Sequence, residues 1–382
     1  MKKRILIVGA GFSGAVMARE LAEQGYLVEV IDKRGHVAGN CHTEIDDETG
    51  IMVHVHGPHI FHTDDQLVWD YINSFAEMMP YTCQVKATTG NKVYSLPINL
   101  LTINQFFNKS LSPIQAMNFI KSISEPKEHI RSFEDQALNF LGRELYEAFF
   151  HGYPLKQWGL DPSVLPASIL KRLPIRFNYN DNYFNHKHQG IPREGYTKLV
   201  EKILSHERIK VNLNRNFVAT DISDSDHIFY TGPLDEWFKH KGGRLGYRSL
   251  RFEASRHTGD FQGCAVMSYP DVEVPFTRIT EHKHFTPWQS FNKTIVFHEY
   301  SHYCGHDDTP YYPIRLVEEK KILSNYVEMA EQEENVTFLG RLGTYRYLDM
   351  DVTIKEALNA SRQFIDLDSK QQDVPVFFDR PL

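Results

Sequence analysis

Three glycines and one aspartate near the start of the chain have the spacing of a phosphate-binding turn. Gly9, Gly11 and Gly14 form a G-x-G-x-x-G motif that follows the apolar residues 5–8 and opens a helical pattern. The first glycine permits a tight turn, the second lets backbone approach a pyrophosphate, and the third allows close packing between helix and strand. Unpaired N–H groups at the helix start favour phosphate. Asp32 ends the next predicted strand, where its carboxylate can bind a ribose. This βαβ unit predicts dinucleotide binding.

The residues that follow this unit favour FAD over a nicotinamide dinucleotide. Residues 32–40, D-K-R-G-H-V-A-G-N, resemble the E-x-R-x-x-x-G-G fingerprint of glutathione-reductase-type flavoproteins, with Ala38 where most members have glycine. A second glycine-rich turn, G-R-L-G at residues 340–343, precedes a helix near the C-terminus, as it often does in flavoproteins of this group. We therefore predict FAD, with a site for NAD alone as the alternative.

Histidines, aromatic residues and arginines cluster in further motifs. These are G-P-H-I-F-H-T at 57–63, F-F-H-G-Y-P-L-K-Q-W-G at 149–159, K-R-L-P at 171–174, P-F-T-R-I-T-E-H at 275–282, Y-Y-P at 311–313 and Y-R-Y-L-D at 345–349. Imidazole is a common metal ligand. The first motif lacks an H-E-x-x-H pattern and an obvious carboxylate partner, so we predict no metal site. Isolated aromatic residues are usually found in the core, so core packing is the alternative to a ligand-binding role for the aromatic residues of these motifs.

Hydrophobic periodicity predicts the elements that position these motifs. Residues 100–150 have a helical pattern, in which Ser132 and Asp135 resemble a capping box and apolar residues recur every four positions from 133 to 149. Residues 173–195 and 245–313 are rich in β-formers with short alternating segments, which favours an antiparallel sheet. Residues 336–339 predict a strand, followed by a helix that begins near Asp351. The first and last segments are predicted to form one discontinuous nucleotide domain.

Composition limits the class of protein. The 382 residues exceed the roughly 250–300 at which a single core stops growing, so we expect two or three domains. A net charge of −7 argues against general nucleic-acid binding. The four cysteines form no C-x-x-C pair, so neither a zinc framework nor a disulfide scaffold is predicted. The basic start lacks a signal-peptide core, and no stretch is long enough to span a bilayer. We expect a cytoplasmic protein.

Taken together, the motifs closely resemble those of the bacterial UDP-galactopyranose mutases over nearly the whole chain. The resemblance implies an α/β fold: a discontinuous Rossmann-like FAD-binding domain with an inserted helical bundle and an antiparallel β-sheet domain. It places the first FAD-binding segment at 1–80 and the helical domain at 98–172, with a mobile arginine loop at its end. The substrate sheet would comprise 81–97, 173–195 and 246–322, and the later FAD-binding segments 196–245 and 323–382. It also implies a homodimer.

The resemblance implies a flavin-dependent isomerase. Such an enzyme interconverts UDP-galactopyranose and UDP-galactofuranose through a reduced-flavin N5–sugar adduct, and supplies the furanose for cell-surface polysaccharide. FAD would be active when reduced, with no net transfer of electrons. Three alternatives stay open: a related mutase with a different sugar or base, a flavin oxidoreductase of the same fold group, and a non-catalytic nucleotide-sugar binding protein with structural FAD. The physiological reductant is not predicted.

Matching positions in the family assign roles to individual residues. Arg172 and Arg278 match two arginines that grip the diphosphate, where fixed cations stabilise the charge of the leaving group. The implied catalytic residues are Arg172, Arg278, His62 and Tyr347. The implied substrate-binding residues are Phe150, Tyr153, Pro154, Trp158, Tyr183, Ser268, Tyr312 and Cys83. The implied cofactor-binding residues are Gly9, Gly11, Phe12, Ser13, Gly14, Asp32, Lys33, Arg34, Gly39, Asn40, His59, Ile60, Arg341, Asp349, Met350 and Asp351.

Four positions depart from the family pattern. Pro154 stands where relatives commonly have threonine, Cys83 and Ser268 stand where they have asparagine, and His56 replaces a tyrosine. Several of these positions lie near the nucleotide pocket in the family, and a lost hydrogen bond can change binding by about 1–3 kcal/mol. The sequence therefore leaves the preferred base and sugar open.

Overall fold

A computed structural model describes residues 3–167, 175–218 and 220–382. Within them the strands are β1 Arg4–Val8, β2 Leu27–Ile31, β3 Thr43–Ile45, β4 Met52–His54, β5 Phe61–Thr63, β6 Met78–Pro80, β7 Val85–Thr89, β8 Lys92–Leu96, β9 His188–Pro192, β10 Ile209–Asn212, β11 His227–Tyr230, β12 Tyr247–Thr258, β13 Val266–Ser268, β14 Arg278–Glu281, β15 Lys293–Tyr303, β16 Tyr312–Pro313 and β17 Val336–Phe338. The helices are α1 Phe12–Glu23, α2 Gln66–Asn73, α3 Leu100–Phe106, α4 Pro113–Ile123, α5 Phe133–Leu141, α6 Arg143–Tyr146, α7 Gly152–Trp158, α8 Gly195–Leu204, α9 Thr220–Asp224, α10 Leu234–Trp237, α11 Val317–Ala330, α12 Gly340–Gly343 and α13 Met350–Ser369.

A five-stranded parallel sheet forms the nucleotide-binding part of the fold, with the order β10-β2-β1-β11-β17. Its strands come from separate stretches of the chain, because long insertions follow β2 and β11. Ile5 and Ile7 of β1 pack in a core with α1, α8 and α13, whereas Leu6 packs in a second core with α11. Helices therefore cover both faces, as a parallel sheet requires. The predicted discontinuous Rossmann-like domain is confirmed.

The helices α3 to α7 follow β8 and share a core, to which Ala87 of β7 and Tyr94 of β8 also belong. The apolar positions spaced by four residues lie in it, and these are Phe133, Ala137, Leu141, Leu145 and Phe149. Ser132 Oγ accepts a hydrogen bond from the N–H of Asp135 at 3.1 Å, and the Asp135 carboxylate accepts one from the N–H of Ser132 at 3.3 Å. The predicted capping box thus starts α5. A π turn over Glu147–His151 then leads into α7.

A seven-stranded sheet with the order β16-β12-β15-β14-β13-β7-β8 forms the third part. Its neighbours are antiparallel except for β7 and β13, which run parallel. The strand β9 differs from expectation, because it pairs with β5 and β6 in a separate three-stranded sheet. Alternation within residues 173–195 predicted a strand there. It could not reveal the partner, because tertiary packing chooses which strands pair.

None of the described helices combines the length and the apolar character needed to cross a bilayer. The longest of them, α13, spans 20 residues and packs one face, with Ile354, Ala357 and Phe364, into the core that it shares with α1. Its other positions include several charged side chains. This pattern is typical of an amphipathic helix on a globular core.

The close contact between α1 and the glycine turn gives a first prediction. A Cβ at Gly14 would overlap the carbonyl oxygen of Gly9 and would lie 3.1 Å from Cγ2 of Ile7. Alanine normally stabilises a helix by about 1 kcal/mol relative to glycine, so a loss in Gly14→Ala would have a steric cause. We expect Gly14→Ala to unfold at a lower urea concentration than the wild type and to lose bound dinucleotide.

Gly25→Ala is the matched control. Gly25 follows the same helix with φ +87° and has open space around its Cα, so the substitution should cost only the backbone strain of about 1–2 kcal/mol. An unfolding midpoint of Gly14→Ala equal to or above that of the wild type would contradict the packing role of this glycine.

Candidate functional site

A cavity of about 1340 Å³ lies at the carboxyl ends of the parallel strands, where Val8, Asp32 and Tyr230 line it. Ligands of open α/β sheets bind in this crevice as a general rule. The volume exceeds the roughly 300–1,000 Å³ of pockets for drug-sized ligands. The cavity therefore has room for a dinucleotide and for part of a second ligand.

The glycine turn forms one wall of this cavity. A Cβ added at Gly11 would meet nothing closer than Cα of Gly39, at 3.9 Å, so a ligand can approach the backbone. Gly11 is also the N-cap of α1, and no side chain caps this helix end. The Asp32 carboxylate accepts hydrogen bonds from the N–H groups of Ala10 at 2.8 Å and Arg34 at 2.9 Å. These bonds fix its orientation and leave lone pairs on both oxygens.

The late glycine turn contributes a second wall. Gly340 has φ +75°, and a Cβ there would overlap Oγ of Ser13, so the turn packs directly on the start of α1. The Arg341 guanidinium donates a hydrogen bond to the carbonyl oxygen of Tyr311 at 2.6 Å and lies 4.9 Å from the ring centroid of Tyr347. Asp349 is the N-cap of α13. Two helix N-termini therefore meet at the same cavity.

Most of the predicted cofactor residues line the cavity. They are Gly9, Gly11, Phe12, Ser13, Asp32, Lys33, Arg34, Gly39, Asn40, His59, Ile60, Arg341, Asp349 and Met350. Gly14 and Asp351 do not line it. Gly14 instead packs against the Gly9 carbonyl, and the Asp351 carboxylate accepts a hydrogen bond from the N–H of Val352 at 2.8 Å.

Three histidines are connected beneath the 57–63 motif. The N–H of His59 donates to Nδ1 of His54 at 3.1 Å, and the N–H of His54 donates to Nδ1 of His282 at 3.2 Å. Burial lowers the pKa of His282 to about 3, lowers that of His59 to about 4, and holds that of His54 well below its usual value. All three rings are therefore neutral at pH 7. His54 and His282 thus hold His59 in the cavity wall. His62, in the same motif, stacks on Phe184 with ring centroids 3.7 Å apart.

Arg278 begins β14 and lines the same cavity. Two of its guanidinium nitrogens lie 2.7 Å from Oε2 of Glu299, and Oε1 of Glu299 accepts a hydrogen bond from Oγ1 of Thr277 at 3.1 Å. Burial by itself would lower the pKa of Arg278, but the carboxylate raises it well above the usual value. Glu299 is 1% exposed and the arginine side chain 20%. The arginine can therefore still reach a ligand.

Tyrosines surround this arginine. The rings of Tyr312 and Tyr347 stack with centroids 5.7 Å apart and an interplanar angle of 15°. Burial raises the pKa of Tyr153 to about 12 and raises those of Tyr183 and Tyr312 further, while the charge of Arg278 acts against each shift. These phenols are therefore protonated at pH 7. A cation beside neutral O–H donors is suited to an anionic ligand such as a phosphate.

The predicted catalytic and substrate residues divide into two groups. Arg278, His62, Tyr347, Tyr183 and Tyr312 line the cavity. Those that do not line it are Phe150, Tyr153, Pro154, Trp158, Ser268 and Cys83. Arg172 lies outside the described residues.

Three members of the second group lie near Arg278, since its charge acts on the pKa values of Tyr153 and Cys83 and Ser268 is on the neighbouring strand. Ser268 faces Arg278 across the β13–β14 pair, and the ring of Trp158 lies 6.3 Å from that of Tyr312. Phe150 and Cys83 are 5% and 3% exposed and pack in two different cores.

Sequence analysis missed the buried polar residues that hold this site. Glu299 and Thr277 orient Arg278, and His54 and His282 orient His59. His282 stands in the motif at 275–282, but no function was predicted for it from the sequence. Glu299 stands within an alternating strand, where a charged residue on the buried face was the available signal. Its partner depends on the register between β14 and β15, which pairs Arg278 with Glu299 and cannot be read from sequence.

Comparison with known proteins agrees with this geometry. Residues 148–347 match the family model for UDP-galactopyranose mutase, and residues 7–75 match that for an NAD(P)-binding Rossmann-like domain. The chain is 57% identical to a probable UDP-galactopyranose mutase of Klebsiella pneumoniae over 98% of both chains. The chain belongs to the UDP-galactopyranose mutase family. The resemblance inferred from the motifs and the predicted enzyme class are thereby confirmed.

Other members of the family extend the comparison. The chain is 50% identical to a dTDP-fucopyranose mutase of Escherichia coli, covering 95% of this chain and 98% of that protein. It is 32% identical to a UDP-galactopyranose mutase of Mycoplasma pneumoniae, covering 94% and 96%. The crystal structure of a reduced UDP-galactopyranose mutase matches with a TM-score of 0.74 over 99% of each chain at 15% identity. A putrescine oxidase variant matches with a TM-score of 0.58 at 11% identity. These structures share the fold.

The ion pair of Arg278 with Glu299 gives a second prediction. Glu299→Gln keeps the shape of the side chain but removes the charge that compensates a partly buried guanidinium. A hydrogen bond to a charged group is worth about 1.5–3 kcal/mol, so the free energy of unfolding in urea should fall by about that amount.

Glu253→Gln serves as the control on the same sheet. Glu253 pairs with Arg251, and both side chains are about half exposed, so this change should cost about 0–1 kcal/mol. Equal losses in the two variants would show that Glu299 contributes no more than a surface charge.

Proposed function

We propose that the protein interconverts UDP-galactopyranose and UDP-galactofuranose with FAD as its cofactor. The observation that carries the proposal is that Arg278, oriented by Glu299 and surrounded by protonated tyrosines, lines the same cavity as the glycine turn. The planar guanidinium matches phosphate oxygens, so a nucleotide diphosphate would be bound beside the cofactor. The 57% identity to the Klebsiella pneumoniae relative supports this choice of reaction.

The cavity residues fit FAD. The space beside Gly11 and the uncapped start of α1 would hold the pyrophosphate, and Asp32 would bind the adenosine ribose. The flavin end would contact two parts of the cavity wall. One is the N-terminus of α13, where Asp349 is the N-cap residue, and the other is the 57–63 motif with His59. When bound and reduced, FAD supplies a nucleophilic nitrogen, N5, to the anomeric carbon of the sugar.

The side chains then bind, orient and neutralise charge. Arg278 stabilises the negative charge that the diphosphate gains as its bond to the sugar breaks. Tyr183 and Tyr312 donate O–H groups to phosphate oxygens, because phenols are protonated at pH 7 and burial raises the pKa values of these two still further. We propose Arg172 as the second cation on the diphosphate. His62 and Tyr347 line the cavity beside these groups and complete the proposed catalytic set.

A second nucleotide sugar, dTDP-fucopyranose, is the alternative substrate. The Escherichia coli relative named for it is 50% identical to this chain over 95% of its length. Both substrates carry a diphosphate, so the proposed contact between Arg278 and the diphosphate does not distinguish them. They differ in the nucleoside and at carbon 6 of the sugar. Recognition of those parts falls to the four residues that depart from the family pattern, which are Cys83, Pro154, Ser268 and His56.

The family resemblance supports further proposals about the protein in the cell. We propose a cytoplasmic homodimer whose furanose product supplies cell-surface polysaccharide. We also keep the division into an FAD-binding part (1–80, 196–245 and 323–382), a helical part (98–172) and a substrate sheet (81–97, 173–195 and 246–322). The strand β9 is the exception, since it pairs with β5 and β6 of the first FAD-binding segment.

Dependence on reduced flavin gives a third prediction. Protein reduced with dithionite under anaerobic conditions should convert UDP-galactofuranose into UDP-galactopyranose, and the oxidised protein should not, because only reduced flavin has a nucleophilic N5. Chromatography of the nucleotide sugars measures the conversion, and denaturation should release FAD. Consumption of reductant in equal amount to product would favour a flavin oxidoreductase instead. A higher kcat/KM for dTDP-fucopyranose in a parallel assay would identify that sugar as the substrate.

The role of Arg278 gives a fourth prediction. Loss of a preorganised charge contact typically lowers the rate about 10²–10³-fold, so Arg278→Ala should lose that much activity while keeping its flavin spectrum. Arg278→Lys should recover only part of it, because an ammonium lacks the planar fork. Arg251→Ala, an exposed arginine on the same sheet, is the control and should keep full activity. Activity of the wild-type level in Arg278→Ala would remove this residue from the mechanism.

A further inference from the structure

Lys156 connects two parts of the substrate side. It lies on α7, which also carries Tyr153 and Trp158. Its Nζ atom contacts four backbone carbonyl oxygens, those of Tyr269 at 2.5 Å, Asp271 at 2.9 Å, Val274 at 2.9 Å and Phe276 at 3.1 Å. All four belong to the loop of residues 269–277, which joins β13 to β14. One side chain therefore holds this loop at both of its ends.

The 269–277 loop leads directly to Arg278. The N–H of Tyr269 donates to the carbonyl oxygen of Thr277 at 2.9 Å, which closes the loop. The N–H of Thr277 donates to the backbone carbonyl of Glu299 at 2.8 Å, and its hydroxyl donates to the Glu299 carboxylate at 3.1 Å. A displacement of the loop would therefore displace the residue that shares Glu299 with Arg278.

The helix α7 is held from its other side as well. Nε of Arg248 and Oγ of Ser301 both donate to the carbonyl oxygen of Gln157, at 2.9 and 2.7 Å. At the start of the helix, a Cβ on Gly152 would overlap the carbonyl oxygen of Pro270 in the loop. The helix is thus packed on the loop at one end and bound to β12 and β15 at the other.

We propose that Lys156 is a positioning residue for nucleotide binding, which fixes Tyr153 on α7 relative to Arg278 by holding the 269–277 loop. The family resemblance assigns Tyr153 and Trp158 of α7 to substrate binding and Arg278 to the diphosphate of the same ligand, so the separation of α7 from Arg278 decides how well that ligand fits. The inference rests on the proposed role of Arg278.

The charge of Lys156 bears on this role. Burial lowers the pKa of Lys156 to about 8, and the carboxylates of Asp271 and Glu273 in the loop act in the opposite direction. Below this pH the ammonium has three protons to donate to the carbonyls. Above it the neutral amine has two protons and turns a lone pair toward carbonyl oxygens. The hold on the loop should therefore weaken as the pH rises through about 8.

The test is Lys156→Met in the FAD-loaded protein. We expect the dissociation constant of UDP, measured by calorimetry, and the KM for the nucleotide sugar to rise about tenfold or more, with a smaller change in kcat. In the wild type UDP binding should weaken above pH 8, and in the variant this dependence on pH should be absent. Lys198→Met, which removes an exposed lysine paired with Glu201 at 2.7 Å, should leave both constants unchanged.

If Lys156 has only a structural role, Lys156→Met should lower the unfolding midpoint. The folded variant would then keep the wild-type KM, the wild-type UDP dissociation constant and the weakening of UDP binding above pH 8, and that result would overturn the proposal. If Lys156→Met does not fold, Lys156→Arg takes its place. The permanent charge of the arginine should abolish the weakening of UDP binding above pH 8, and a variant that still shows this weakening would overturn the proposal. If the wild type converts neither nucleotide sugar but binds UDP in a manner dependent on Lys156, the proposed reaction fails and the positioning role stands.

Discussion

The candidate site depends on a carboxylate that is almost completely buried. Removing Glu299 from water is costly, and Arg278 compensates for that cost only because the two are in direct contact. Oε2 faces two guanidinium nitrogens and Oε1 accepts the Thr277 hydroxyl, so both carboxylate oxygens are satisfied. A guanidinium has five N–H donors. The pair therefore fixes one edge of Arg278 and leaves the other donors for an anion.

This arrangement is held by strand register. Ser268, Arg278 and Glu299 stand opposite one another on β13, β14 and β15, and a shift by one residue would turn Arg278 to the other face of the sheet. The glycine turn belongs to the other large sheet, where a helix N-terminus rather than a strand face lines the cavity. The cavity thus combines a helix N-terminus, whose dipole favours phosphate, with a fixed cationic side chain.

The parts of the site that could be predicted are those that local sequence determines. A glycine turn between strand and helix, an acid at a strand end and a capping box at Ser132 each depend on a few neighbouring residues. The partner of β9, the pairing of Arg278 with Glu299 and the contacts of Lys156 each join residues far apart in the chain. Such contacts are decided by tertiary packing, which leaves no periodic signal. Arg172 stays a prediction, since it lies outside the described residues.

The same geometry separates the chemistry from the choice of substrate. In the proposed function, Arg278 and the glycine turn would contact only the diphosphate that every nucleotide-diphosphate sugar carries and the pyrophosphate of FAD. The four residues that depart from the family pattern are separate from the ion pair itself. Pro154 is on α7, Ser268 is on β13 opposite Arg278, Cys83 precedes β7, and His56 lines the cavity. A substitution there can change a contact to the base or sugar without disturbing the ion pair. One hydrogen bond is worth about 1–3 kcal/mol, which corresponds to about 5–150-fold in binding. Under the proposed function, substitutions at these positions would therefore change the preferred nucleotide sugar and leave the ion pair, and with it the reaction, unchanged.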